Sequence, residues 1–122
     1  MSSEITKHHV IESILDNESI TDGLEDVYAQ HIIQWCLGRV EAFPQDAEAL
    51  AEYNRRLVQQ ARTVTKIAVH IQDGDDLNLI KRRLRRLTTD LAKQQAFMGL
   101  LDNQLPLNEY IHALLMISDG VI

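Results

Sequence analysis

The chain is poor in the residues that interrupt helices. It has 5 Gly and 2 Pro in 122 residues, which leaves few turns and favours long regular elements. It has one cysteine, Cys36, so no internal disulfide can staple it. Aromatics make up only 5%, too few for a stacking platform of the kind that holds single-stranded nucleic acid. No apolar run reaches the length of a membrane span. The start, MSSEITKHHVIESILDN, lacks a cationic region followed by an apolar one, so it does not read as a secretory leader. A cytosolic protein is expected, with no membrane partner.

What is present agrees with helices. Apolar residues make up 45% and charged residues 25%, as in ordinary globular domains. One domain spanning residues 1–122 is expected, large enough for its own core. Five helices and no strand can be read from the periodicity, at Glu4–Leu15, Leu24–Ala42, Asp46–Gln72, Leu77–Asp102 and Leu107–Ser118.

Ser3 is a candidate cap for the first helix, whose apolar side is Val10, Ile11, Ile14 and Leu15. Asp22 and Glu25 have capping-box spacing before the second. That helix carries Ala29, Ile32, Ile33, Cys36, Leu37, Val40 and Phe43 at spacings of three and four. Pro44 ends it. The third helix repeats Leu50, Leu57, Val64 and Ile71 at sevens. Gly74 suits a left-handed position after it, and Asp75 or Asp76 can cap the fourth. In the fourth helix Leu77, Ile80, Leu84, Leu87, Leu91, Gln94, Met98 and Leu101 alternate threes and fours, a heptad seam with one polar member. The third and fourth helices, each about 40 Å long at 1.5 Å per residue, are joined by a few residues and must fold back on each other. The expected architecture is an all-α, five-helix antiparallel bundle built around that hairpin.

Charge is unevenly placed. Residues 1–52 hold 11 acids and 2 bases, residues 53–101 hold 4 acids and 10 bases, and residues 102–122 hold 3 acids and no base. The whole is acidic, with a net charge of −6. Five bases crowd into IKRRLRRL: Lys81, Arg82, Arg83, Arg85 and Arg86. On the heptad they surround one turn and leave the seam clean. Lys81–Arg85 and Arg82–Arg86 are like-charge pairs one turn apart, and each disfavours the isolated helix by about 0.2–0.5 kcal/mol. In the hairpin, Arg62 comes level with Arg86, Lys66 with Arg82, and Arg55 and Arg56 with Lys93. A basic belt along the third and fourth helices results.

Three readings of the belt compete. It is a solvated face answered by the base-free acidic cluster of Glu12, Asp16, Glu18, Asp22, Glu25 and Asp26. It docks a protein partner, including a second copy, since arginine's planar fork binds carboxylates bidentately. Or it holds a nucleic acid. The last is opposed by the acidic whole and by the lack of aromatics beside the bases. No helix-turn-helix or zinc-finger pattern supports it either.

Other candidate chemistry is thin. Glu109 and His112 have the Glu-x-x-His spacing of di-metal bundles, but a second copy and inward carboxylates are wanting, so no metal is expected. His8, His9 and Glu12 sit at a helix terminus prone to fray. His31 and Cys36 point to different faces, and Cys36 reads as a small core residue. No Gly-rich phosphate loop, nucleophile elbow or paired catalytic carboxylate is found, so neither a catalytic site nor a cofactor is expected. The sequence therefore predicts a non-catalytic helical interaction or regulatory module, expected to be oligomeric, with Arg62, Lys66, Lys81, Arg82, Arg83, Arg85 and Arg86 as candidate partner- or anion-binding residues. A small nucleic-acid-binding protein using the same belt is the alternative.

Overall fold

A computed structural model describes residues 6–43 and 47–118. Six α-helices account for most of them: α1 (Lys7–Asp16), α2 (Asp26–Ala42), α3 (Ala47–Gln72), α4 (Leu77–Leu87), α5 (Leu91–Leu101) and α6 (Leu107–Ser118). A short 3-10 turn, Glu18–Ile20, lies between α1 and α2. No strand occurs among the described residues, and no helix there is long and apolar enough to cross a membrane.

The core is one connected cluster drawn from every α-helix and the 3-10 turn. The amphipathic stripes read from the sequence supply it. Val10 and Ile14 come from α1, and Ile32, Cys36 and Val40 from α2. Leu50, Leu57, Ala61 and Val64 come from α3, and Ile111 and Leu114 from α6. α3 is the spine, packing against α1, α2, α4, α6 and the 3-10 turn. α6 is the most enclosed short element: it packs on α2, α3 and α5 and buries Tyr110, Leu115 and Ile117 as well. Leu15, expected on the apolar side of α1, is 57% exposed.

Local chemistry explains the helix ends. Thr6 caps α1, its hydroxyl accepting from the His9 N–H at 3.3 Å; Ser3 lies outside the described residues. The capping box expected at Asp22 and Glu25 does not form. Glu25 is the cap residue of α2 and makes no side-chain capping bond. Gly74 takes the left-handed φ of +69° expected of it, a conformation glycine reaches without the steric penalty of a β-carbon. Asp76 then caps α4, accepting from the Asn78 N–H at 2.8 Å.

The main correction concerns the long fourth helix. The chain leaves the helix at Thr88, which is extended with φ −146° and ψ 145°. A new helix starts after Asp90, whose carboxylate accepts from the Ala92 and Lys93 N–H groups at 3.0 and 3.2 Å. Two β-branched residues followed by an N-cap residue favour a break over a continuous helix. The heptad seam is therefore not continuous: Leu77 is 42% and Leu91 71% exposed. The side chain of Leu87 lies outside the described residues. Gln94 has a different task from the polar seam member expected. Its amide donates to the Thr88 carbonyl and, at 3.4 Å, to the Arg85 carbonyl, satisfying acceptors that the end of α4 leaves open. Thus α4 folds back on only part of α3. α5 turns away to pack on α4 and α6, and the hairpin of two equal helices is not formed.

Candidate functional site

The flank of α3 that faces α2 is held by polar contacts at regular spacing. Arg62 donates to the Ser19 hydroxyl at 2.7 and 3.1 Å. Thr65, buried, donates to the Ile20 carbonyl. Gln72 binds both ways: its Oε1 accepts from the Glu25 N–H at 2.7 Å, and its Nε2 donates to the Gly23 carbonyl at 3.1 Å. Gly23 has φ +84° and lies above Val69. Positions 62, 65, 69 and 72 recur at three and four and so form one side of the helix. The acidic stretch from Glu18 to Asp26 is strapped along that side. Glu18, Asp22, Glu25 and Asp26 are all exposed on it.

The next side of α3 faces α4. There Lys66 and His70 line a cleft of about 350 Å³ with Arg83 and Arg86 of α4. His70 is fixed by Asp75, with Nδ1 to Oδ2 at 2.8 Å, an interaction that sets the ring's orientation. His70 was not singled out in the sequence, and Asp75 only as a possible cap of α4. The usable signal was a histidine in the last turn of a helix, with an acid just past the Gly74 turn.

The structure divides the expected belt. Lys81 is tied to Asp102 by an ion pair of 2.8 Å, and Arg62 to Ser19. Arg55 pairs with Glu52 at 3.1 Å and, with Arg56, lies beside Gln59 at a shallow depression. Lys93 is not level with Arg55 and Arg56. It donates to the Ser118 carbonyl at 3.2 Å, which also accepts from Gln60 at 2.8 Å; a cation suits a helix C-terminus. A small cavity of about 130 Å³ opens at that point. Lys66 meets Arg83 and Arg86 across the cleft, one step from the expected pairing with Arg82.

Among the described residues, the side chains of Lys66, Arg82, Arg83, Arg85 and Arg86 make no ion pair and no hydrogen bond. None of the acids from Glu12 to Asp26 pairs with any of them. Glu12 instead meets His8 at 3.0 Å. The acidic cluster thus leaves the bases of α4 uncovered; its 18–26 stretch lies on the neighbouring side of α3 and meets the belt only at Arg62.

The remaining candidates are placed as follows. Glu109 and His112 are exposed. No group of three or more His, Cys, Asp or Glu side chains converges on a metal-sized site among the described residues. Trp35 is half-buried, with the Arg39 guanidinium 5.6 Å from its ring centre. Cys36 is fully enclosed, and burial pushes its thiol up to about 12. Only the thiolate is nucleophilic, so native Cys36 is expected to resist a thiol-reactive dye at pH 8 and to react once urea unfolds the chain. Rapid labelling of the folded protein would contradict this. The raised value also sets a sign. Above pH 9 the unfolded thiol ionises while the folded one keeps its proton, so this group lowers stability progressively between about pH 9 and 12.

Compared with protein families, curated proteins and solved structures, the chain matches none.

Proposed function

We propose that this protein is a non-catalytic interaction module that docks an acidic protein partner on the basic face of α4. The carrying observation is the group of five cations without a counter-charge, three of which converge with His70 on one cleft. α4 holds five bases and no acid, and like charges at that density repel one another. A carboxylate-bearing partner relieves the repulsion and suits arginine's bidentate geometry. The cleft gives such a partner a place to anchor a side chain.

A nucleic acid is the second reading, favoured by the same unpaired bases on an exposed helix. Two features weigh against it. No Phe, Tyr or Trp side chain lines the cleft, and the exposed acids on the neighbouring side of α3 repel a polyanion that extends past α4.

The test is fluorescence anisotropy at low salt with two labelled probes, a Glu-rich helical peptide and a duplex DNA. The peptide is expected to bind, and Lys66→Glu with Arg83→Glu to weaken it about tenfold or more. No binding of the peptide overturns the proposal. Tighter binding of the duplex, falling steeply with salt as counterion release requires, moves the conclusion to the second reading.

A further inference from the structure

The acidic partner has a candidate within the chain itself, although the acids of its 18–26 stretch do not pair with the bases of α4. Glu18, Asp22, Glu25 and Asp26 form an exposed stretch with no base among them, strapped to one flank of α3 through Arg62, Thr65 and Gln72. The unpaired bases of α4 stand on the other flank. The two flanks adjoin along α3, where Arg62 and Lys66 are one turn apart, yet among the described residues no acid of the strap pairs with a base of α4. One flank of α3 thus presents mostly exposed acids and the next mostly exposed bases.

The geometry points to a second copy of this chain as the occupant: two molecules dock these divided faces across a two-fold axis. This rests on the reading of α4 as a docking face for acidic protein. Rotation by 180° about an axis at the boundary sets the acidic flank of each copy on the basic flank of the other. Both contacts form at once, and the assembly closes as a dimer instead of growing into a fibre. Two exposed apolar side chains lie close in sequence to these groups, Val27 after the acids at 61% and Leu77 at the start of α4 at 42%. These supply apolar contact that charge alone does not. The face is modest. From position 62 to 72 it runs about 15 Å along α3, and with the strap and α4 on either side it offers on the order of 500 Å² per copy. Stable complexes bury about 800 Å² per partner. The dimer is therefore weak, and because its contacts are mostly ionic it depends on salt.

Sedimentation velocity on the full chain tests this with three proteins. These are the wild type, a basic-flank reversal (Lys66→Glu, Arg83→Glu and Arg86→Glu) and an acidic-flank reversal (Glu18→Lys and Glu25→Lys). The wild type is expected to dimerise at low salt and to bind itself roughly tenfold more weakly at about 0.5 M salt. Each reversal alone is expected to stay monomeric at concentrations where the wild type is half dimer. Mixed, the two are expected to associate more tightly than either does alone, because the acidic flank of one meets the intact basic flank of the other. All the reversed positions are exposed and none caps a helix through its side chain. Circular dichroism checks that each variant is folded. If the lysine variants lose helix, Glu18→Gln with Glu25→Gln replaces them and is expected to weaken the dimer in the same direction. A wild type that is monomeric at every concentration overturns the inference, as does a mixture of folded reversals that fails to associate. If that monomer still binds the Glu-rich peptide, docking of acidic protein survives without the second copy. If it binds no peptide, both conclusions fall.

Discussion

Leu114→Ala is expected to lower the stability of this protein by about 3–5 kcal/mol. Leu114 has no solvent exposure and sits on α6, the element that packs at once on α2, α3 and α5. Truncation removes apolar contact with several helices and leaves a space that none of them can fill alone, because each is fixed by its other neighbours. A domain is stable by only about 5–15 kcal/mol, so the effect is a large share of the whole. Urea unfolding followed by helical ellipticity measures it. The midpoint should fall while the slope, which reports exposed surface, stays the same. A loss below about 1 kcal/mol would show that α6 is not the keystone its burial indicates.

The second large effect is one for which sequence and structure give opposite signs. On the heptad reading, Gln94→Leu completes an apolar seam and should stabilise. In the structure it destabilises. Gln94 satisfies the Thr88 and Arg85 carbonyls at the end of α4. Leucine offers no donor, and a part-buried acceptor without a partner costs about 1–3 kcal/mol. Leu91→Gln is the control: a residue 71% exposed should tolerate the change within about 0.5 kcal/mol. Thermal unfolding of the two variants decides the matter. A rise in melting temperature for Gln94→Leu, with a marked fall for Leu91→Gln, would restore the single long helix.

Where one residue type dominates a local choice, the sequence was readable. Gly74 needs a positive φ, Asp76 caps, and the stripe of α6 is buried as its spacing requires, while in α2 Ala29, Ile32, Cys36 and Val40 are buried and Ile33, Leu37 and Phe43 only partly. The failure at 88–90 is instructive because two signals conflicted. The apolar period ran on through the Thr-Thr-Asp break, since Leu91 keeps the heptad count. Period alone cannot say that the leucine there faces water. The capping preference of Asp90 was the better guide, and it is local and easily outvoted by a pattern more than three heptads long. For the candidate site, the bases themselves were legible as a run, but their partners were not. Lys81 finds Asp102 at 21 positions' separation, and Arg62 finds Ser19 at 43; such contacts are set by tertiary packing. The side of α3 on which the acids would lie had no local signature either. It follows from Thr65 and Gln72 gripping the backbone of a loop.

The placement of opposite charges on the two flanks of α3 has a further consequence, for how the molecule behaves in an electric field. A single copy carries a sizeable dipole moment transverse to α3. It should therefore adhere to cation-exchange as well as anion-exchange resins despite a net charge of −6. Two copies related by a two-fold axis cancel every component of that moment perpendicular to the axis. Association would then be seen in dielectric relaxation as a loss of polarity per chain, a signature that does not depend on size or shape.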